Sequence, residues 1–248
     1  MHDGGDLLHA ACSHCSSHVE RHGHGLLPIR EQTVLRDLLR NASSYLEWGA
    51  GTSTQLALAT PGVRHVHVIE NQAGWCDVME RRSDIVCLSA CLRRLGGAFE
   101  LHCVRDGAQH AGYHFDTRLE QHAAGHSFRD PFRSAEVVLA REQAFHYVRL
   151  AADLRPSFDL ILVDGRWRVA CALQAWLLAH ARTTVLFHDW DRAAEYHGTT
   201  LKHFELAGRV RALAVLRPRR SLMSELAQSQ REAVWTDLMR ALGSPARR

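Results

Sequence analysis

The sequence predicts an α/β fold in which a mostly parallel sheet is covered by helices on both faces. Short apolar runs alternate with segments of helical periodicity between Tyr45 and Phe187. This alternation is typical of βαβ units, whose crossover helices cover both faces of a parallel sheet. A glycine-containing turn also follows the first apolar run directly and precedes a helix. The chain has 248 residues, of which 46% are hydrophobic and 23% charged, and this composition predicts one sizeable domain.

The first half of the sheet is predicted from the spacing of apolar residues along the chain. Pro28 suits the first turn of a helix, and the apolar residues that follow it recur at helical spacing over Arg30–Arg40. The segment Cys87–Leu95 is compatible with either a helix or a strand. The other elements alternate in type: strand Tyr45–Trp48, helix Thr54–Ala59, strand Val63–Ile69, helix Trp75–Arg82 and strand Phe99–Val104.

The second half continues the pattern and then changes direction. A helix over Ala135–Ala152, a strand over Phe158–Val163, a helix that carries Val169 and Trp176, and a strand over Thr184–Phe187 follow in order. The sequence next predicts an antiparallel hairpin with strands Phe204–Gly208 and Val210–Leu216. A last amphipathic helix follows, which carries Trp235, Leu238, Met239 and Leu242. The complete prediction is a Rossmann-like sheet with a C-terminal antiparallel hairpin.

Three regions follow from changes in composition. Residues 1–27 are irregular and rich in His and Cys, residues 28–220 form the main domain, and residues 221–248 form a C-terminal helix and tail. An insertion at about 105–134 is either a lid or binding loop, or a disordered surface loop. Cys12 and Cys15 supply only half of a zinc site, so we expect a flexible or adventitious metal-binding tail there.

Charge, cysteine content and hydropathy exclude several classes of protein. The formal net charge is +3, and we find no dense basic face of the kind that nucleic-acid binders present. Seven irregularly spaced cysteines predict reduced thiols in a cytosol-like compartment. No apolar run approaches the roughly 20 residues that span a bilayer. We therefore expect a cytoplasmic protein that binds neither membrane nor nucleic acid.

The glycine-containing turn has the features of a small-cofactor site. Two glycines permit a tight turn and a close approach of the backbone to a ligand, and the helix start exposes unpaired N–H groups. A carboxylate opens the turn and a third glycine is absent, which fits a zwitterionic amino-acid group better than a pyrophosphate. The candidate cofactor-binding residues are Glu47, Gly49, Ala50, Gly51, Thr52, Ser53 and Thr54.

A second carboxylate supports this interpretation. Glu70 ends the apolar strand that follows, about twenty residues after the turn. A carboxylate at this strand end offers two acceptor oxygens to the two hydroxyl groups of a ribose. Glu70 is therefore the candidate ribose ligand.

These residues carry a family resemblance. The motif Glu-x-Gly-x-Gly-Thr-Ser and the strand-final Glu70 resemble the first two motifs of class I S-adenosylmethionine-dependent methyltransferases. Phe158–Gly165 resembles the fourth-strand motif of that superfamily, and Val185–Trp190 resembles the end of its fifth strand. The variant around Asp164, with the later Tyr196 and His197, is similar to a poorly characterised subgroup akin to small-molecule and sugar O-methyltransferases. The resemblance covers roughly Leu39 to Pro218 and implies S-adenosyl-L-methionine as cofactor and a small-molecule acceptor.

The acceptor side is predicted at the ends of strands four and five. The candidate catalytic residues are Asp164, His188 and Asp189, because parallel strands bring their carboxyl ends to one rim. By analogy with the cation-dependent O-methyltransferases, Asp164 and Asp189 would hold Mg²⁺ or Mn²⁺, although that family has an Asp-Asn or Asp-Asp pair where His188 and Asp189 stand.

Two other interpretations of this rim stay open. In the first, no metal is present and His188 or His197 is the general base. In the second, His188 and Asp189 only bond loop backbone. Arg166 and Arg168 either bind an anionic substrate, with His197 nearby, or are solvated loop charges.

Two alternative functions belong to other classes of protein. The domain could be a catalytically silent Rossmann-like module that binds a nucleotide or a partner, or an NAD-dependent oxidoreductase. The carboxylates at separate strand ends disfavour the first alternative, and Glu47 together with the absent third glycine disfavours the second. An RNA methyltransferase lacks support because we find no basic groove rich in aromatic residues. The sequence specifies neither the acceptor atom nor the oligomeric state.

Overall fold

The computed structural model describes residue 15 and residues 27–104, 135–154, 157–192, 195–219 and 224–242. Seven strands form one sheet in the order β3-β2-β1-β4-β5-β7-β6. Strands β1 to β5 are parallel, and β7 is antiparallel to both β5 and β6. The strands are β1 Ser44–Trp48, β2 His65–Glu70, β3 Ala98–Cys103, β4 Phe158–Val163, β5 Ala179–Phe187, β6 Phe204–Val210 and β7 Leu213–Pro218.

The described helices cover both faces of the sheet. They are α1 Ile29–Leu39, α2 Thr52–Ala59, α3 Ala73–Arg81, α4 Ser83–Arg94, α5 Ala135–Arg149, α6 Ala151–Leu154, α7 Arg168–Leu178, α8 Glu195–His203 and α9 Ser224–Ala241. Helices α1 to α4 contribute to one buried apolar cluster and α5 to α9 to the other. Helix α9 packs on α7 and therefore shares the second core. None of these helices combines the length and the apolar character that a membrane crossing requires.

The architecture confirms the predicted Rossmann-like sheet with its C-terminal antiparallel hairpin. From β1 the chain proceeds outward to β2 and β3, and it then returns to place β4 on the other side of β1. This reversal opens a crevice between the carboxyl ends of β1 and β4, where open α/β sheets bind their ligands. The fold thus brings the predicted glycine turn and Asp164 to the same crevice.

Some element boundaries differ from the prediction. Cys87–Leu95, which the sequence left undecided, belongs mostly to helix α4. The hairpin turn was expected at residue 209, but β6 continues to Val210 and β7 begins at Leu213. Arg211, in this turn, has a positive φ of 52°. The insertion at 105–134 and nearly all of segment 1–27, including Cys12, lie outside the described residues.

The prediction of reduced thiols is wrong for most of the described cysteines. Cys15 is bonded to Cys87, and Cys76 is bonded to Cys103. Cys15 therefore has no thiolate to offer a zinc ion. The odd count and irregular spacing hid these pairs, because the tertiary packing brings them together: the Cα atoms of Cys76 and Cys103 are 6.0 Å apart, within the usual range for a disulfide. Cys171 is a buried thiol.

Candidate functional site

The glycine turn and the end of β4 meet in the crevice with backbone against backbone. Gly49 has a φ of +98°, and a Cβ built there would lie 2.8 Å from the backbone nitrogen of Gly165. A left-handed backbone this close to another chain segment admits only glycine without strain. Gly165 is confined in the same way, because a Cβ there would overlap the hydroxyl group of Tyr147. Both glycines are therefore required by the packing of the turn against the end of β4.

The first carboxylate of the motif, Glu47, lies beneath the turn and is fully buried. The Tyr45 hydroxyl donates a hydrogen bond to Glu47 at 2.7 Å, and the Thr54 hydroxyl donates a second one. The Thr54 oxygen in turn accepts the Gly51 N–H at 3.0 Å. Burial raises the pKa of Glu47 to about 7, although hydrogen bonds from Ser53, Thr54 and Tyr45 act in the opposite direction. Glu47 and Thr54 therefore hold the shape of the turn.

This pKa predicts a pH dependence of stability. The folded protein holds a proton on Glu47 up to about pH 7, whereas the unfolded chain releases it near 4.5. Stability is therefore lost as the pH rises from 4.5 to 7, by about 3 kcal/mol in free energy of unfolding. Glu47→Gln mimics the protonated side chain, so we expect urea unfolding between pH 5 and pH 8 to give a flatter profile than the wild type.

Glu205→Gln is the matched control, because Glu205 lies exposed on edge strand β6. This variant should keep the wild-type slope. Identical slopes in Glu47→Gln and the wild type would show that Glu47 is already ionised in the folded protein at pH 5.

The second carboxylate, Glu70, connects the end of β2 to the turn. Its Oε2 accepts the Ala50 N–H at 3.0 Å and its Oε1 accepts the Gln72 N–H at 2.7 Å. The carbonyl oxygen of Ala50 accepts the indole N–H of Trp75 at 2.7 Å, so Ala50 is fixed on both sides. Burial raises the pKa of Glu70, while these backbone hydrogen bonds and the charge of Arg166 limit the rise. The Asn71 N–H also bonds to this carboxylate, so three backbone donors leave one of its roughly four acceptor positions for a ribose hydroxyl.

The acceptor side of the crevice is organised by Arg168. Its guanidinium lies 2.7 Å from Asp189 and 3.3 Å from Asp164, and it also donates to the carbonyl oxygens of Gly165, His188 and Asp164. These contacts engage all three nitrogens of the guanidinium. Arg168 is only 8% exposed. It therefore anchors the rim and is not a solvated loop charge, while its binding of an anionic substrate stays a prediction.

His188 is placed between two carboxylates. Its Nδ1 lies 2.8 Å from Asp164, and its Nε2 lies 3.1 Å from Glu31 on helix α1. Burial alone would lower the pKa of His188, but the hydrogen bond and charge of Asp164 and the charge of Asp189 raise it above its usual value. An imidazole that carries protons on both nitrogens cannot accept another, so the arrangement disfavours His188 as the general base.

Glu31 is a functional-site residue that the sequence analysis missed. Its carboxylate is fully buried and also accepts the Ala212 N–H, 3.0 Å away in the β6–β7 turn. Glu31 thus ties α1 to the ends of two other elements. A signal was present in the sequence: Glu31 lies four residues before Leu35 and eight before Leu39, on the buried stripe of the helix.

The predicted Mg²⁺ or Mn²⁺ site does not fit this rim. The guanidinium of Arg168 stands between Asp164 and Asp189, where a divalent cation would have to lie. Such cations take oxygen ligands, and a fixed positive charge beside those oxygens opposes their binding. Within the described part of the chain, the one group of three metal-ligating side chains whose ligand atoms all lie within 4.8 Å of one another is on strands β2 and β3.

The remaining predicted residues lie around this network. His197 stacks on the ring of Trp190, and its Nε2 is 2.8 Å from the Trp190 carbonyl oxygen. An N–H must stand between those two atoms, so this nitrogen is not available as a base. Arg166 is half-buried, and its charge acts on Glu70. Thr52 and Ser53 lie in the first turn of α2.

Comparison with known proteins shows the fold. No protein-family model and no curated protein matches the sequence. A methyltransferase-like protein from Silicibacter pomeroyi superposes with a TM-score of 0.55 and 23% identity over 88% of this chain and 96% of that one. The O-methyltransferase from Bacillus cereus, in complex with SAH, gives a TM-score of 0.43 and 14% identity over 86% and 91%. By its strand order and its likeness to the Silicibacter protein, the chain has the class I methyltransferase-like fold.

Proposed function

We propose that the protein is an S-adenosylmethionine-dependent methyltransferase that methylates an oxygen of a small, sugar-like acceptor. One observation carries the proposal: the Glu70 carboxylate accepts the backbone N–H of Ala50, inside the glycine turn. A carboxylate in contact with a glycine turn offers one cofactor both a ribose ligand and a close-packed backbone.

The residues divide into two groups in this proposal. Glu70 binds a ribose hydroxyl with the acceptor position that its three backbone donors leave open. The backbone of Gly49 to Gly51 lies along the cofactor, while Glu47 and Thr54 hold the turn from below. The cofactor supplies an electrophilic methyl group on its sulfonium. The chain supplies position and orientation, which are the main requirements of a direct displacement.

The acceptor hydroxyl needs a group that takes its proton. Asp164 uses Oδ1 for its contacts with His188 and Arg168, and its side chain is 25% exposed at the rim. We assign its Oδ2 as the hydrogen-bond acceptor for the substrate hydroxyl. His188 and Arg168 fix this carboxylate, so no metal is required by the proposal. Asp189 acts as a positioning residue through its ion pair with Arg168.

Cofactor binding separates this proposal from the NAD-dependent alternative. Titration calorimetry of the full chain with S-adenosylhomocysteine should give micromolar-range binding, whereas NAD⁺ should give none. Glu70→Ala should weaken the binding at least tenfold, because one hydrogen bond to a charged acceptor contributes about 1.5–3 kcal/mol.

Glu205→Ala removes an exposed strand glutamate and should leave the S-adenosylhomocysteine affinity unchanged. Equal affinities in Glu70→Ala and the wild type would contradict the assignment of Glu70. Binding of NAD⁺ in place of S-adenosylhomocysteine would contradict the proposed function itself.

A further inference from the structure

Three metal-ligating side chains meet on one face of the sheet near its β3 edge. His67 lies on β2, and Glu100 and His102 lie two residues apart on β3, so the last two share a face. In the register of β2 and β3, His67 pairs with Glu100. His102 is the next residue of β3 on the same face of the sheet. Strand pairing, and not sequence proximity, creates this cluster.

The distances within the cluster match a metal centre. His67 Nδ1 is 3.4 Å from His102 Nε2 and 3.7 Å from the Glu100 carboxylate, and His102 Nε2 is 3.4 Å from that carboxylate. Tetrahedral zinc, with bonds of about 2.0–2.1 Å to nitrogen and oxygen, places its ligand atoms about 3.3 Å apart. Two imidazoles and one carboxylate are also a ligand set that zinc enzymes use.

The surroundings allow a metal to enter. The side chain of His67 is 5% exposed, that of His102 is 20% and that of Glu100 is 52%, so the cluster opens to solvent on the Glu100 side. Burial lowers the pKa of His102, opposed by the charge of Glu100, which favours the neutral ring that metals bind. His67 is three residues before Glu70, or about 10 Å along the strand.

We propose that His67, Glu100 and His102 form a binding site for a divalent transition metal, with zinc as the best match and a fourth position open to solvent. A metal bound here would cross-link the edge strand β3 to β2. The site is separate from the crevice and does not depend on the proposed function.

The test uses the full chain, stripped of metal with a chelator and titrated with Zn²⁺. We expect the wild type to bind one more tight equivalent than His102→Ala, and to show a Zn²⁺-dependent rise in Tm that this variant lacks. Glu100→Gln should weaken that equivalent by about tenfold or more, since even the loss of a supporting partner has this effect. His146→Ala removes an exposed histidine from α5 and should behave as the wild type.

X-ray absorption identifies the ligands of the tight site and separates it from the His- and Cys-rich N-terminal segment. Nitrogen and oxygen scattering without sulfur is expected. Sulfur ligands, or equal Zn²⁺ binding by His102→Ala and the wild type, would overturn the proposal. Glu100→Gln provides a second variant at an exposed position, so the test does not depend on replacing the buried His67.

Discussion

Gly49→Ala is expected to lower the free energy of unfolding by about 4 kcal/mol and to abolish S-adenosylhomocysteine binding. A non-glycine residue at a left-handed φ costs about 1–3 kcal/mol, and forcing an extra methyl group into a packed region costs a similar amount. Both effects apply at Gly49, because its neighbour at 2.8 Å is the backbone of Gly165. Backbone cannot rotate aside as the end of a flexible side chain can. Urea unfolding and titration calorimetry measure the two effects.

Gly74→Ala is the matched control for this variant. Gly74 lies in helix α3, and a Cβ there would meet no atom within 4 Å. Alanine is favoured over glycine within helices by about 1 kcal/mol, so this variant should be as stable as the wild type or slightly more so. If Gly49→Ala matched Gly74→Ala in stability and binding, the close packing of the two turns would be disproved.

Glu31→Ala is expected to destabilise the protein by about 3–5 kcal/mol, the usual cost of breaking a buried ion pair. Its removal leaves His188 Nε2 and the Ala212 N–H without their buried acceptor. Glu31→Gln should cost less, because its amide oxygen can still accept one of these hydrogen bonds. Urea unfolding at pH 6, where His188 is protonated, gives the largest difference.

Asp37→Ala, in the same helix, is the control. The side chain of Asp37 is 58% exposed and pairs with Arg40 at the surface. Exposed ion pairs contribute about 0–1 kcal/mol, so the change should be small. A Glu31→Ala variant as stable as Asp37→Ala would mean that α1 does not close the rim through this carboxylate.

The sequence was sufficient to predict the sheet, because period and turn chemistry are local properties. Strands ending at Glu70, Val163 and Phe187 each carry a polar residue at or just after the last position, and parallel pairing brings all three to the rim where β1 ends in the glycine turn. These strands could be predicted from local sequence patterns alone, without tertiary contacts.

Tertiary contacts decide what the sequence could not predict. Arg168 follows Asp164 by four residues, but its capture of Asp189 requires the β4–β5 pairing. The cluster of His67, Glu100 and His102 depends on the register of two parallel strands, and register is fixed only when the sheet assembles. For the same reason, the cysteine spacing gave no hint of the disulfides.

The Glu31–His188 contact also has a consequence for the time at which helix α1 docks during synthesis. Glu31 precedes His188 by 157 residues and Ala212 by 181. At synthesis rates of about 5–20 residues per second, its partners emerge from the ribosome roughly 10–30 s after it does. Until then, a charged carboxylate stands on the apolar stripe of α1 without a partner and opposes docking of that helix. We therefore expect the parallel sheet to form before its first helix docks, so that closure of the rim comes late in folding.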